Sequence, residues 1–113
     1  MSQKVQDTLN RINTHKGVKG CMIVNSKGIA IETTMSNSDT IEYGSLISQF
    51  TTNVSLSIKS IHQEEEVTFI RIRSKQHEIM IAPDKEYSLI VIQNPSNDEN
   101  NWDWAAAHIY YYK

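Results

Sequence analysis

Residues 67–95, VTFIRIRSKQHEIMIAPDKEYSLIVIQNP, set three apolar runs against two short polar interruptions at 74–77 and 83–86. Runs of β-branched and aliphatic residues broken at this interval read as strands, because connections so short can only be hairpins. Asn94-Pro95 closes the last run, since proline removes a ladder donor. An antiparallel meander is therefore the element that any fold of this chain must accommodate.

Upstream, Val5, Leu9 and Ile12 recur at four and three residues and predict a short amphipathic helix over 3–13, ended by Gly17 and Gly20. Residues 19–25 contain Cys21, Met22, Ile23 and Val24, a buried-strand composition. Ser26-Lys27-Gly28 then forms a turn whose glycine meets the need for positive φ. The returning strand is expected over 29–33. Asn37, Ser38 and Asp39 offer helix caps, with Glu42 three residues beyond Asp39 as in a capping box.

A long helix is expected from Asp39 to about Ile61, some 34 Å at ~1.5 Å per residue. Tyr43, Leu46, Ile47, Phe50, Val54, Ile58 and Ile61 fall within about 120° of one another and form the stripe expected to cover the sheet. The opposite face reads Ile41, Ser45, Ser48, Thr52, Ser55 and Leu56, with charge only near the ends at Glu42 and Lys59. It fits either a weakly polar solvated face or a surface that a second helix can approach closely. The run Thr51-Thr52-Asn53-Val54-Ser55 has mediocre helix propensity, so packing must support the helix. In the third strand, Thr68, Ile70 and Ile72 alternate with Val67, Phe69, Arg71 and Arg73, leaving apolar groups on both faces and an edge able to pair with another chain. The expected fold class is α+β: a five-stranded antiparallel sheet with a long central helix and a short N-terminal helix packed on it.

At 113 residues the chain has room for one core. Residues 1–93 carry ten basic and ten acidic side chains, and residues 94–113 carry one and three. A near-neutral body without a basic stripe argues against nucleic acid or an anionic membrane as partner. The N-terminal residues show neither a secretory nor a membrane-spanning pattern, so a cytosolic protein without direct membrane insertion is expected, consistent with the single cysteine.

Chemistry finds little support. His15, His62, His77 and His108 share no ligand spacing with Cys21 or one another, and Cys21 sits mid-strand as an inert thiol would. No phosphate-binding glycine motif is present, and Glu64, Glu65 and Glu66 lack the alternating ligands of a calcium loop. Arg71 and Arg73 could together grip an anion, but cross-strand pairing with Glu78 is the simpler account. We therefore expect no cofactor, no metal and no catalytic residues. A thiol enzyme would need Cys21 gathered with a histidine.

The wording of the meander, Arg-Ile-Arg-Ser-Lys, then Ile-Met-Ile-Ala-Pro-Asp-Lys, then Ile-Val-Ile-Gln-Asn-Pro, resembles the roadblock family of dynein light chains. Lys16-Gly17-Val18, Val24-Asn25, Gly28-Ile29 and Tyr43 with Ser45-Leu46 extend the similarity over roughly 4–95. The resemblance implies a roadblock/longin-like domain over 1–95 that dimerises with itself or a second roadblock chain through the long helix and the neighbouring strand, extending the sheet across two chains. It implies a non-catalytic adaptor that binds dynein intermediate chain, in the cytoplasm on microtubule-associated dynein or in a ciliary axoneme. Carried over by position, it assigns Ser45, Ser48, Thr52, Ser55, Thr68, Ile70 and Ile72 to the dimer interface. Related roadblock and longin-like domains serve as scaffolds for small GTPases, which is the alternative reading.

Two departures stand out. Ala30 occupies a position where such chains often place proline, and residues 96–113 continue past the usual end with both tryptophans and three of the five tyrosines. Read as a helix from about Trp102, this extension aligns Trp102, Ala105, Ile109 and Tyr112, with Trp104 alongside as a further candidate partner-binding residue. It is expected to dock on the long helix, on the dimer mate or on a dynein chain.

Overall fold

A computed structural model describes residues 3–95. Its elements run α1 (Gln3–Asn13), β1 (Val18–Asn25), β2 (Ala30–Thr33), α2 (Asn37–Ile61), β3 (Ile70–Arg73), β4 (Glu78–Ala82) and β5 (Tyr87–Gln93). The strands form one sheet in the order β2-β1-β5-β4-β3, with every neighbouring pair antiparallel. The meander supplies one half of the sheet and the first hairpin the other, joined where β1 pairs with β5 from Val18 opposite Gln93 to Asn25 opposite Tyr87.

Side chains alternate between two cores. On one side Cys21, Ile23, Met80, Ala82, Leu89 and Val91 pack with Leu9 and Ile12 of α1. On the other, Met22, Val24, Ile81, Ile90 and Ile92 pack with Ile47 of α2. β1, β4 and β5 are thus buried on both faces, which is why their sequences read as nearly continuous apolar runs.

Three expectations shift. α2 begins at Asn37, because Ser36 is the cap: its hydroxyl accepts from the Asp39 amide at 3.3 Å, making Asp39 the third helical residue. β3 begins at Ile70, and Val67, Thr68 and Phe69 lie ahead of it without ladder pairing. The largest shift is the rotation of α2. Thr40, Gly44 and Ile47 are its buried residues, whereas Leu46, Phe50 and Ile61, placed by the apolar stripe against the sheet, are 58%, 40% and 72% exposed.

Two glycines account for that rotation. Gly28, at φ +81°, closes the β1–β2 turn directly under α2, and a Cβ on Gly44 would lie only 2.8 Å from the Gly28 carbonyl oxygen. The helix therefore approaches the turn on its small residues. A 2.9 Å hydroxyl contact between Thr33 and Thr40 fixes the same face nearer the helix start. Close backbone approach outweighs the pull of the wider apolar stripe and turns it by roughly 70°, at ~100° per residue.

Candidate functional site

The rotated helix leaves two unlike flanks. One carries Ser48, Thr51, Thr52 and Ser55 and looks onto the β1–β2 and β4–β5 turns, where with Leu56, Lys59, Lys85 and Ser88 they line a cleft of about 350 Å³. Ser48 and Ser55 are half-buried there, and Ser48 lies against Gly28. The other flank carries Tyr43, Leu46 and Phe50. Tyr43 is half-buried near Lys19, His77 and Ile92, at the opposite end of the sheet where β3 turns into β4.

The α2 side of the sheet also carries half-buried apolar groups toward its open β3 edge. Ile70 and Ile72 of β3 and Ile79 of β4 face the α2 side and are only half-buried. β3 pairs with β4 alone, so among the described residues its outer backbone groups have no ladder partner. Exposed Leu46 and Phe50 on α2, half-buried isoleucines and an edge strand open on one side are features of a surface that can take another chain.

The residues assigned to an interface by position separate accordingly. Ile70 and Ile72 lie on this surface, while Thr68 is exposed and precedes the strand. Ser45 and Thr52 are exposed, with hydroxyls donating to their own helix at Ile41 and Ser48 carbonyls, 3.0 and 3.1 Å away. Such back-bonded hydroxyls offer a close partner little beyond small size. Ser48 and Ser55, with Thr52, line the cleft beside the turns. Leu46 and Phe50 stand exposed although hydrophobicity alone places them in the core; Gly28 and Gly44 are the signal that another side of α2 touches the sheet. Trp102, Trp104, Ile109 and Tyr112 lie outside the described residues.

Arg71 and Arg73 do not form an open anion fork. Arg71 donates through Nε and Nη2 to the same Glu78 oxygen at 3.0 and 2.8 Å, and Arg73 Nε is 3.9 Å from it. Glu78 is fully buried, and its other oxygen accepts from Gln93 Nε2 at 2.5 Å, so the cluster ties β3 to β4 and β5. Cys21 is also buried. Its thiol donates to the Leu9 carbonyl at 3.4 Å, and burial pushes its pKa up to about 11 against a smaller lowering by Thr34. A thiol held protonated in this way is a poor nucleophile. Among the described residues no three His, Cys, Asp or Glu side chains gather as metal ligands, and no helix is long and apolar enough to cross a membrane.

The architecture recurs in solved structures. Myxococcus xanthus MglB matches with a TM-score of 0.79 at 14% identity, covering 95% of this chain and 89% of that one. A Roadblock/LC7 domain from Streptomyces avermitilis matches at 0.73 and 10% identity, covering 93% and 82%, and Myxococcus xanthus MglC at 0.60 and 14%, covering 98% and 100%. Identities so low speak for the fold. The sequence itself matches the profile of the Roadblock/LC7 domain over residues 4–94, which takes in every described strand and nearly all of both helices. The chain therefore belongs to the Roadblock/LC7 domain family.

Proposed function

We propose that this chain is a non-catalytic scaffold that works as a dimer, with itself or a second roadblock chain, and holds a small GTPase in the cytoplasm. The observation that carries the dimer is that the α2 side of the molecule holds both exposed Leu46 and Phe50 and half-buried Ile70 and Ile72 on an edge strand that pairs with β4 alone. A two-fold contact through this surface would cover both features at once, pairing edge with edge and flank with flank. Fully burying a leucine or phenylalanine is worth about 1.5–3 kcal/mol, and a two-fold operator uses each twice. One similar structure, at a TM-score of 0.77 and 6% identity, is described as MglB with a tetrameric arrangement, in keeping with a domain that associates with copies of itself.

The GTPase scaffold is preferred to a dynein light chain because the similar structures named above are bacterial roadblock proteins and none is a dynein light chain. The wording of the meander favours the second reading, in which the dimer binds a dynein intermediate chain on microtubules or in an axoneme. Cross-linking the chain in its own cells, purifying it and identifying its partners separates the two. Recovery of a small GTPase supports the first reading, and recovery of dynein intermediate chain overturns it in favour of the second.

A further inference from the structure

The charges around β3 follow an order that the neutral composition of the body hides. Glu64, Glu65 and Glu66 lie ahead of the strand, Arg71, Arg73 and Lys75 lie within it or just after it, and residues 67–70 between them carry no charge. The open edge of the sheet is therefore acidic at one end and basic at the other.

The monomer uses these charges only in part. Arg71 and Arg73 share the buried Glu78 carboxylate, and Glu65 lies 3.3 Å from the exposed His62. Two guanidinium groups on one carboxylate leave the basic end with a positive excess. Glu64, Glu66 and Lys75 are exposed and enter none of the ion pairs seen among the described residues. Lys59 lines the same cleft as Glu66, yet no ion pair joins the two.

We propose that this charge order is a clamp that sets how two copies of the chain meet along β3: antiparallel, with Glu64 and Glu66 of each copy beside Lys75 of the other. The inference rests on the dimer proposed above and adds what fixes its direction and register. Apolar pairing alone does not fix them, because Ile70 and Ile72 are the same side chain two positions apart and a two-residue slip keeps them on the same face. The flanking charges do discriminate. With a two-fold axis at Ile70, Lys75 stands opposite Glu65 of the second copy; with the axis at Arg71, it stands opposite Val67, next to Glu66. A two-fold operator repeats the contact at both ends of the paired strands. Parallel pairing would instead bring the three glutamates of one copy against those of the other and set the basic residues together, and like charges directly opposite are destabilising. Exposed ion pairs are individually weak. Their role here is to select one arrangement, which is what charge complementarity does best at an interface.

Sedimentation of the full chain over a concentration series tests the clamp. Two variants reverse one end each: Glu64→Lys combined with Glu66→Lys, and Lys75→Glu. All three positions are exposed, and melting of diluted samples checks that each variant folds. Alone, each variant sets like charges together at both ends of the contact and should dimerise roughly tenfold more weakly than the native chain. Mixing the two in equal amounts restores opposite charges at both ends of the mixed dimer and should recover most of the native affinity. Native dimerisation should itself weaken several-fold between about 0.05 and 0.5 M salt, as screening grows. Variants that dimerise as tightly as the native chain, or a mixture that binds no better than its components, would overturn the clamp while leaving the dimer standing. A native chain that stays monomeric would overturn the dimer and the clamp together.

Discussion

On the α1 side of the sheet, Leu9, Ile12, Cys21, Ile23, Met80 and Leu89 are closed off from water; on the α2 side, a helix more than twice as long as α1 leaves Leu46 and Phe50 exposed and Ile70, Ile72 and Ile79 half-covered. Sealing therefore does not follow helix length. It follows how the helix is turned, and α2 is turned by its contact with the β1–β2 hairpin, which brings Gly44 onto Gly28 and swings part of the apolar stripe outward. One side is closed within the monomer, and the other leaves apolar area exposed.

The sharpest way to break that contrast is to truncate one residue on each side. Ile23→Ala, in the sealed core, should cost about 2–5 kcal/mol, the range for a large-to-small core change. Leu46→Ala, read under dilute conditions that keep the chain monomeric, should cost well under ~1 kcal/mol in urea unfolding. Equal losses would mean that the two sides are not different in kind.

Alkaline pH gives a second, smaller test of the seal. The folded state holds the Cys21 pKa at about 11, above the ordinary thiol value of 9.0, so the neutral thiol is favoured in the fold. Below pH 9 both states are protonated and the stabilising difference is fully present. It is lost as pH rises from 9 through 11, where the unfolded chain ionises first, by about 2–3 kcal/mol at ~1.4 kcal/mol per pKa unit. Unfolding of Cys21→Ala followed over the same window should lack this component. An identical pH slope in both proteins would show that the thiol is not sealed.

Gly44→Ala tests the cause of the rotation. Alanine gains about 1 kcal/mol over glycine in a helix interior, but its Cβ would lie 2.8 Å from the Gly28 oxygen, and overpacking of this kind costs about 1–3 kcal/mol. The variant should therefore melt lower than the native chain, where an unobstructed helical glycine would give a rise. Smallest of all is Ser45→Ala, because the Ser45 hydroxyl bonds only its own helix and is exposed: stability should stay within about 0.5 kcal/mol.

Element existence was legible where pattern and packing agree. The α1 periodicity, the Ser26-Lys27-Gly28 turn and the meander interrupted at 74–77 and 83–86 all reappear in the fold, and Arg71 pairs with Glu78 as strand alternation implies. The rotation of α2 was not legible from hydrophobicity, because the wheel weighs side chains by their apolar surface and gives no weight to glycine. Here two glycine backbones in contact decide the orientation. Val67 and Phe69 misled for a related reason: their alternation suits a strand, but the ladder to β4 begins only at Ile70 opposite Ile81, and Phe69 packs against the α1-side core ahead of it. Which residues of α2 stand exposed, Leu46 and Phe50 among them, followed from the helix rotation rather than from the apolar stripe.

Sedimentation velocity at micromolar concentration, with the native chain beside a Leu46→Glu, Phe50→Glu double variant, measures the central claim most directly. The native chain should run at twice 13.0 kDa and the double variant near 13.0 kDa, with thermal melting of the diluted monomers unchanged. A native chain that stays monomeric, or a double variant that still dimerises, would contradict the account.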